Sequence, residues 1–173
     1  MVTFCVVMDA DVAGCACDPA RPETMRAREC SLCNEAESQP VGKDVFLLKD
    51  VNPRKPNRWL ALPRAHARMG HPMHELPPDL QTRIWKAAIA KGKELWGDGW
   101  GLAYNGTKVR TQCHGHVHIG KLLSGLAPGN YIDVAGPEQI RIPGDDAGIW
   151  VHPVGNKLRV HHGEQITETT LLR

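Results

Sequence analysis

Long apolar runs are absent from this sequence: no stretch approaches the roughly 18–20 residues that a membrane-spanning helix requires. A surplus of either charge is absent too. The 21 basic and 19 acidic side chains leave a formal net charge of +2, too small to point to nucleic acid or an acidic membrane as a partner. Nor is there a basic extension studded with aromatics, so no nucleic acid is expected as a ligand. Six cysteines do not crowd 173 residues as they would a small disulfide scaffold. A second Cys-x-x-Cys, an internal repeat and a low-complexity segment are all missing. What is there is an ordinary composition, 42% hydrophobic and 23% charged, at a length suited to one domain with a buried core.

Residues 1–40 read as an irregular arm, poor in aliphatics, and residues 41–173 as the folded domain. The arm starts with a short apolar run broken by Asp9 and Asp11. Val12-Ala13-Gly14-Cys15 resembles a lipoprotein cleavage box, but the positive start and unbroken apolar stretch of an export signal are missing. A cytoplasmic protein is expected, with export or a lipid anchor as the alternative. Downstream, DVFLLKD (44–50) and WLALP (59–63) read as strands joined by a Pro/Asn-rich loop.

After Pro77-Pro78, Asp79 can cap a helix that Gly97 can end. Leu80, Ile84, Ala87, Ala88 and Leu95 form its apolar stripe, widened by Trp85, Ile89 and Trp96, while Gln81, Arg83, Lys86 and Lys93 point elsewhere. GWGLAYN (99–105) and RTQCHGHVHIG (110–120) read as the next strands. IWVHP and KLRV flank a Gly155-Asn156 turn as a hairpin, and a terminal helical turn starts at Thr167. Strands, one long helix and more strands predict an α+β fold, an antiparallel sheet packed on that helix.

The segment 110–120 holds three of the nine histidines in strict alternation, His114, His116 and His118. On a strand they would share one face about 6.6 Å apart, with Gly115, Val117 and Ile119 on the other. Three imidazoles so spaced converge poorly on a single metal ion. Chemically they suit phosphate work, since neutral imidazole is a competent nucleophile near pH 7.

His114-Gly-His116-Val-His118-Ile, preceded by Asn105-Gly106, resembles the His-x-His-x-His signature of the histidine-triad superfamily of nucleotide hydrolases and transferases. Arg110-Thr111-Gln112-x-His114, Leu48-Lys49-Asp50 and Leu62-Pro63 are similar to its CDP-diacylglycerol pyrophosphatase branch. The resemblance covers roughly residues 44–120. It implies a histidine-triad-like sheet and helix, a nucleotide or nucleotide-conjugate substrate, and His116 as the nucleophile on the α-phosphorus. His118 and Gln112 would assist, and Asn105, Arg110 and Thr111 would hold the phosphate. Lys49 reads more simply as an edge-strand solubiliser. The resemblance also allows a homodimer, although no residue pattern marks an interface. Hydrolysis of a lipid-linked nucleotide and nucleotide binding without catalysis are the alternative functions; the intact triad argues against the second.

Cys30-Ser-Leu-Cys33 has the spacing of half a zinc site, though a disulfide, a redox pair or free thiols would serve as well. Superfamily members including the galactose-1-phosphate uridylyltransferases look similar in joining Cys-x-x-Cys to a histidine after a strand ending in Pro and to the first triad histidine. That resemblance implies structural zinc on Cys30, Cys33, His66 and His114, anchoring the arm, with His71 and His74 as competitors for His66. It is also a departure from the CDP-diacylglycerol branch, which lacks this Cys-x-x-Cys. Cys15 and Cys17 could bind metal or pair with each other, and Cys113 reads as a small core residue. His152, His161 and His162 read as ordinary hairpin histidines, with a substrate contact as the alternative.

Overall fold

The computed structural model describes residues 14–65 and 72–173. Within them, strands β1 (Val45–Lys49), β2 (Trp59–Pro63), β3 (Trp100–Tyr104), β4 (Val117–Lys121), β5 (Asn130–Val134), β6 (Gly148–Val154) and β7 (Lys157–Glu164) make one sheet. Helices α1 (Ser31–Ser38) and α2 (Pro78–Trp96) complete an α+β architecture. The strand order is β1-β2-β4-β3-β6-β7-β5, and every neighbouring pair is antiparallel. Among the described residues no helix is long and apolar enough to cross a membrane.

The long helix α2 packs on one face of the sheet, as its periodicity predicts. Leu80, Ile84, Trp85, Ala88 and Ile89 meet Ala61, Trp100, Leu102, Val117, Ile119 and Val151 in the main core. Three details differ from the sequence reading. Leu95 is 38% exposed, because the stripe has rotated off the sheet by the last turn. Gln81 is buried instead, and its amide donates to the carbonyls of Leu76 (2.9 Å) and His74 (3.3 Å), closing the turn that leads into the helix. Asp79 is not the cap: Pro77 takes that position, and Asp79 pairs with Arg83 one turn on (3.2 Å). Gly97 does end the helix, at φ +55°, a left-handed conformation that glycine adopts without cost from a Cβ.

The opposite face carries the candidate site residues. Strand alternation sends Leu60, Leu62, His118 and Ala103 to this side while their neighbours enter the main core. Here the arm is not irregular. Ser31–Ser38 is helix α1, and its Leu32 and Ala36 pack on Phe46, Leu60 and Leu62. Strand β5 was also not evident from the sequence. It is an edge strand with only Val134 buried, so its composition carries no clear alternation.

Candidate active site

The histidine segment is not one strand. Pairing begins at Val117, so His118 stands on β4 while His114, Gly115 and His116 belong to the loop that enters it. This bend brings the rings closer than a strand would. His116 and His118 meet edge to face with centroids 4.8 Å apart. His114 turns elsewhere, its Nε2 donating to the Pro63 carbonyl (2.6 Å), which ties the loop to the end of β2. All three are buried.

The tautomer of His116 follows from its partner. Its Nδ1 lies 2.8 Å from the backbone oxygen of His114, which can only accept, so Nδ1 carries the proton and Nε2 keeps the lone pair. Burial, reinforced by the Arg110 charge, pushes the His116 pKa down to about 4. Burial likewise holds His118 well below the usual imidazole value, with His116, Arg58 and Lys55 adding to the effect. Both rings are therefore neutral at pH 7.

His116 and His118 line a cavity of about 610 Å³ on this face, together with Arg28, Asp50, Arg54, Lys55, Asn105 and Glu168. That volume suits a nucleotide-sized ligand. A second cavity of about 520 Å³ adjoins it, sharing Asn52, Arg54, Lys55 and Glu168 and adding Arg58 and Arg173. Basic groups outnumber acidic ones around both.

Glu168, which no motif singled out, is the hub between the cavities. It stands in a 3-10 turn, Glu168–Thr170, that starts after Thr167 as the sequence suggested. Its carboxylate pairs with Lys55 and with Arg58 (3.1 Å), accepts from Asn105 Nδ2 (3.1 Å), and lies 3.8 Å from His118 Nε2. Burial raises its pKa, but the Lys55 and Arg58 charges and the Asn105 bond outweigh that and hold it below the usual carboxylate value. Asn105 Oδ1 also accepts from the backbone N–H of Thr167 (2.9 Å) and Glu168 (3.0 Å). So Asn105, expected to hold phosphate, fixes the turn that presents Glu168.

The other expected phosphate ligands are placed as follows. Arg110 lines the cavity, yet it is 2% exposed and pairs with Asp146 (3.0 Å) and the Tyr104 hydroxyl (2.7 Å). Asp146 also accepts from Tyr104 (2.6 Å) and Thr107, and lies 3.3 Å from His74 Nδ1. Arg110 is thus fastened beneath the site while its charge still reaches His116. Thr111 is exposed at the cavity wall. Gln112 faces the arm: its Oε1 accepts from Ser31 Oγ (2.8 Å) and Leu32 N–H (3.1 Å), and its Nε2 donates to the Arg28 carbonyl (3.0 Å). These bonds place Gln112 between the triad loop and the start of α1.

The cysteines cluster beside that junction. Cys15 is bonded to Cys113 and Cys17 to Cys30, so neither arm cysteine pairs with the other. Cys113 is buried as expected, but as half of a disulfide. Cys33 is a buried free thiol whose pKa burial pushes up to about 11. The expected zinc ligands are not gathered among the described residues. Cys30 is in a disulfide, Cys33 contacts the His114 backbone, the ring of His114 turns to Pro63, and His66 and His71 lie outside the described residues. A different set does converge: the sulfurs of Cys17, Cys30 and Cys113 lie within 4.8 Å of one another and could hold a metal when reduced. Cys15, the residue a lipid anchor would need, has its sulfur bonded to Cys113.

No family model matches the chain, and no curated protein matches it.

Proposed function

We propose that the chain is a hydrolase or transferase of nucleoside phosphate derivatives that works through a covalent nucleotidyl intermediate on His116. One observation carries the reading: a buried, neutral imidazole whose Nε2 lone pair is fixed by the Nδ1 bond to His114, at the wall of a basic, nucleotide-sized cavity. Nε2 attacks the α-phosphorus, the bond to the leaving group breaks, and the leaving group departs with the electron pair. Water then cleaves the P–N bond and His116 is regenerated. Arg54 and Lys55 flank the path and offset the charge developing on phosphate and leaving group. His118 and the Glu168–Lys55 pair stand on the leaving-group side. The shared wall with the second basic cavity favours substrates with a further anionic group beyond the α-phosphate.

The test is a panel of dinucleoside polyphosphates, nucleotide sugars, nucleoside phosphoramidates and CDP-diacylglycerol. Turnover of at least one is expected, with the nucleotidyl adduct recovered on the peptide containing His116 after rapid quenching. An adduct on another residue, or turnover with none, defeats the mechanism. Preference for CDP-diacylglycerol would favour the lipid-nucleotide branch.

The pH dependence follows from the neutral ring. Its folded-state pKa lies below the unperturbed value, so the lone pair persists as pH falls and is lost only near pH 4. The acid limb of kcat/KM is therefore expected about 2 pH units below that of a free imidazole. A limb at the ordinary histidine value would mean that His116 is hydrated, not buried, in the working enzyme.

The metal belongs to the reduced chain. Thiolate–zinc bonds of about 2.3 Å put tetrahedral sulfurs roughly 3.8 Å apart, a spacing the sulfurs of Cys17, Cys30 and Cys113 can take up once reduced. Cys33, in the same buried cluster, is the proposed fourth ligand. Zinc there would brace the arm, as the two disulfides do in the oxidised chain. The disulfides themselves fit an oxidising compartment better than the cytoplasm. Metal analysis after reduction is expected to find a zinc ion that the oxidised chain lacks, lost in Cys30→Ser. Equal zinc in the oxidised and reduced forms would place the metal elsewhere.

A further inference from the structure

Register pairs run in a row across the functional face, from His118 to Ala103, Trp150, His161 and Tyr131. His161 is three strands from His118, about 14 Å at ordinary strand spacing, and does not line the catalytic cavity. The Trp150 indole stacks on its ring, with centroids 3.4 Å apart and planes 5° from parallel. His152 follows two residues after Trp150 on β6, and its ring lies 5.1 Å from that of His161.

The two imidazoles face each other across a short contact. Their Nε2 atoms are 3.0 Å apart. His161 Nδ1 lies 2.5 Å from the Pro128 carbonyl oxygen, and His152 Nδ1 lies 3.1 Å from that of Pro153. The Pro128 carbonyl accepts from His161 Nδ1, so His161 Nε2 presents its lone pair to His152. With the His152 proton on Nδ1, towards Pro153, its Nε2 lone pair faces the same point, and a cation between the two nitrogens binds both.

We propose that His152 and His161 bind a divalent transition-metal ion of the class that prefers imidazole: zinc, nickel or copper. With metal–nitrogen bonds of about 2.0–2.1 Å, two such nitrogens sit roughly 2.9 Å apart on adjacent corners of a square-planar ion and about 3.3 Å apart on a tetrahedral one. The observed 3.0 Å falls between them, nearer the first. Each ring also has the partner that metal-bound imidazoles usually keep, a backbone carbonyl on the far nitrogen that fixes tautomer and orientation. The competing positive centre is a proton. Half-burial of His152 and burial of His161 disfavour the charged imidazolium. Asp133, the nearby carboxylate, is bonded to Arg159 (2.7 and 2.9 Å) and is not counted as a ligand.

The probe is nickel(II), added to the full-length chain without reductant so that the four disulfide sulfurs do not compete. One equivalent is expected to bind and to quench part of the tryptophan fluorescence through Trp150. His152→Ala and His161→Ala should each weaken binding at least about 100-fold, more than loss of an outer partner alone costs, while His116→Ala leaves it unchanged. Should His161→Ala misfold, His152→Ala decides, because that ring is only half buried. Wild-type affinity in His152→Ala, or no nickel binding by the wild type, overturns the proposal.

Discussion

His116→Ala is expected to lower kcat by about 10⁴- to 10⁶-fold, the range found when an enzyme loses its covalent nucleophile. Among the described residues, neither of the other triad histidines is placed to take over. His118 faces the Glu168 carboxylate, and His114 donates its Nε2 proton to the Pro63 carbonyl. The fold should tolerate the change, because the ring makes one backbone hydrogen bond and borders an open cavity. The informative comparison is therefore kcat against Tm in the same variant. A loss confined to kcat identifies a nucleophile, whereas a parallel fall in Tm would identify a structural histidine. Residual activity within about 100-fold of wild type would be inconsistent with a covalent step on this residue.

The second large effect concerns the bond between Cys15 and Cys113. It closes a loop of 98 residues in sequence, for which the chain-entropy relation gives about 4–5 kcal/mol. For a chain of this length each kcal/mol moves Tm by about 2–4 °C, so losing the link should cost about 10 °C or more. Cys15→Ser and Cys113→Ser should cost the same in the oxidised protein, since either breaks the same bond. After reduction in the presence of zinc the two should diverge. Cys113 belongs to the converging sulfur set and Cys15 does not, so only Cys113→Ser should then destabilise. Equal losses under both conditions would rule out Cys113 as a metal ligand. Thermal melts with and without reductant read both arms of the test.

Much of this architecture was legible in the residues because apolar spacing reports which face is buried. WLALP and GWGLAYN read as strands, and Leu80, Ile84 and Ala88 placed the long helix on the sheet. Three misreadings have physical causes. The alternation of His-x-His-x-His suits a strand, but the loop runs on through Gly115 and His116, and pairing starts only at Val117. Helix α1 has eight residues and only Leu32, Ala36 and Cys33 on its buried side, too few for a periodic signal. Six cysteines allow 15 pairings, and spacing cannot choose among them.

The site divides in the same way. The proposed nucleophile comes from a local motif, whereas its surroundings were not readable from the sequence. Glu168 reaches Lys55 and Asn105 across gaps of 113 and 63 residues, and only the packed sheet brings them together. Asn105 and Gln112 were singled out through the family resemblance, as a phosphate ligand and an assisting residue. Both line the cavity, and both also hold neighbouring segments through partners far away in sequence.

The walls of the candidate active-site cavity come from remote parts of the chain: Arg28, Asp50 to Lys55, residues between Asn105 and His118, and Glu168. No short unfolded segment can reproduce such a surface, so a ligand fitted to it binds the native state and ignores the denatured one. Mass action then converts occupancy into thermal stability, about 2.7 kcal/mol at a ligand concentration 100 times Kd. A melting-temperature screen of nucleotides and their conjugates thus becomes a direct route to the substrate, and it works equally well on a His116→Ala protein that cannot consume what it binds.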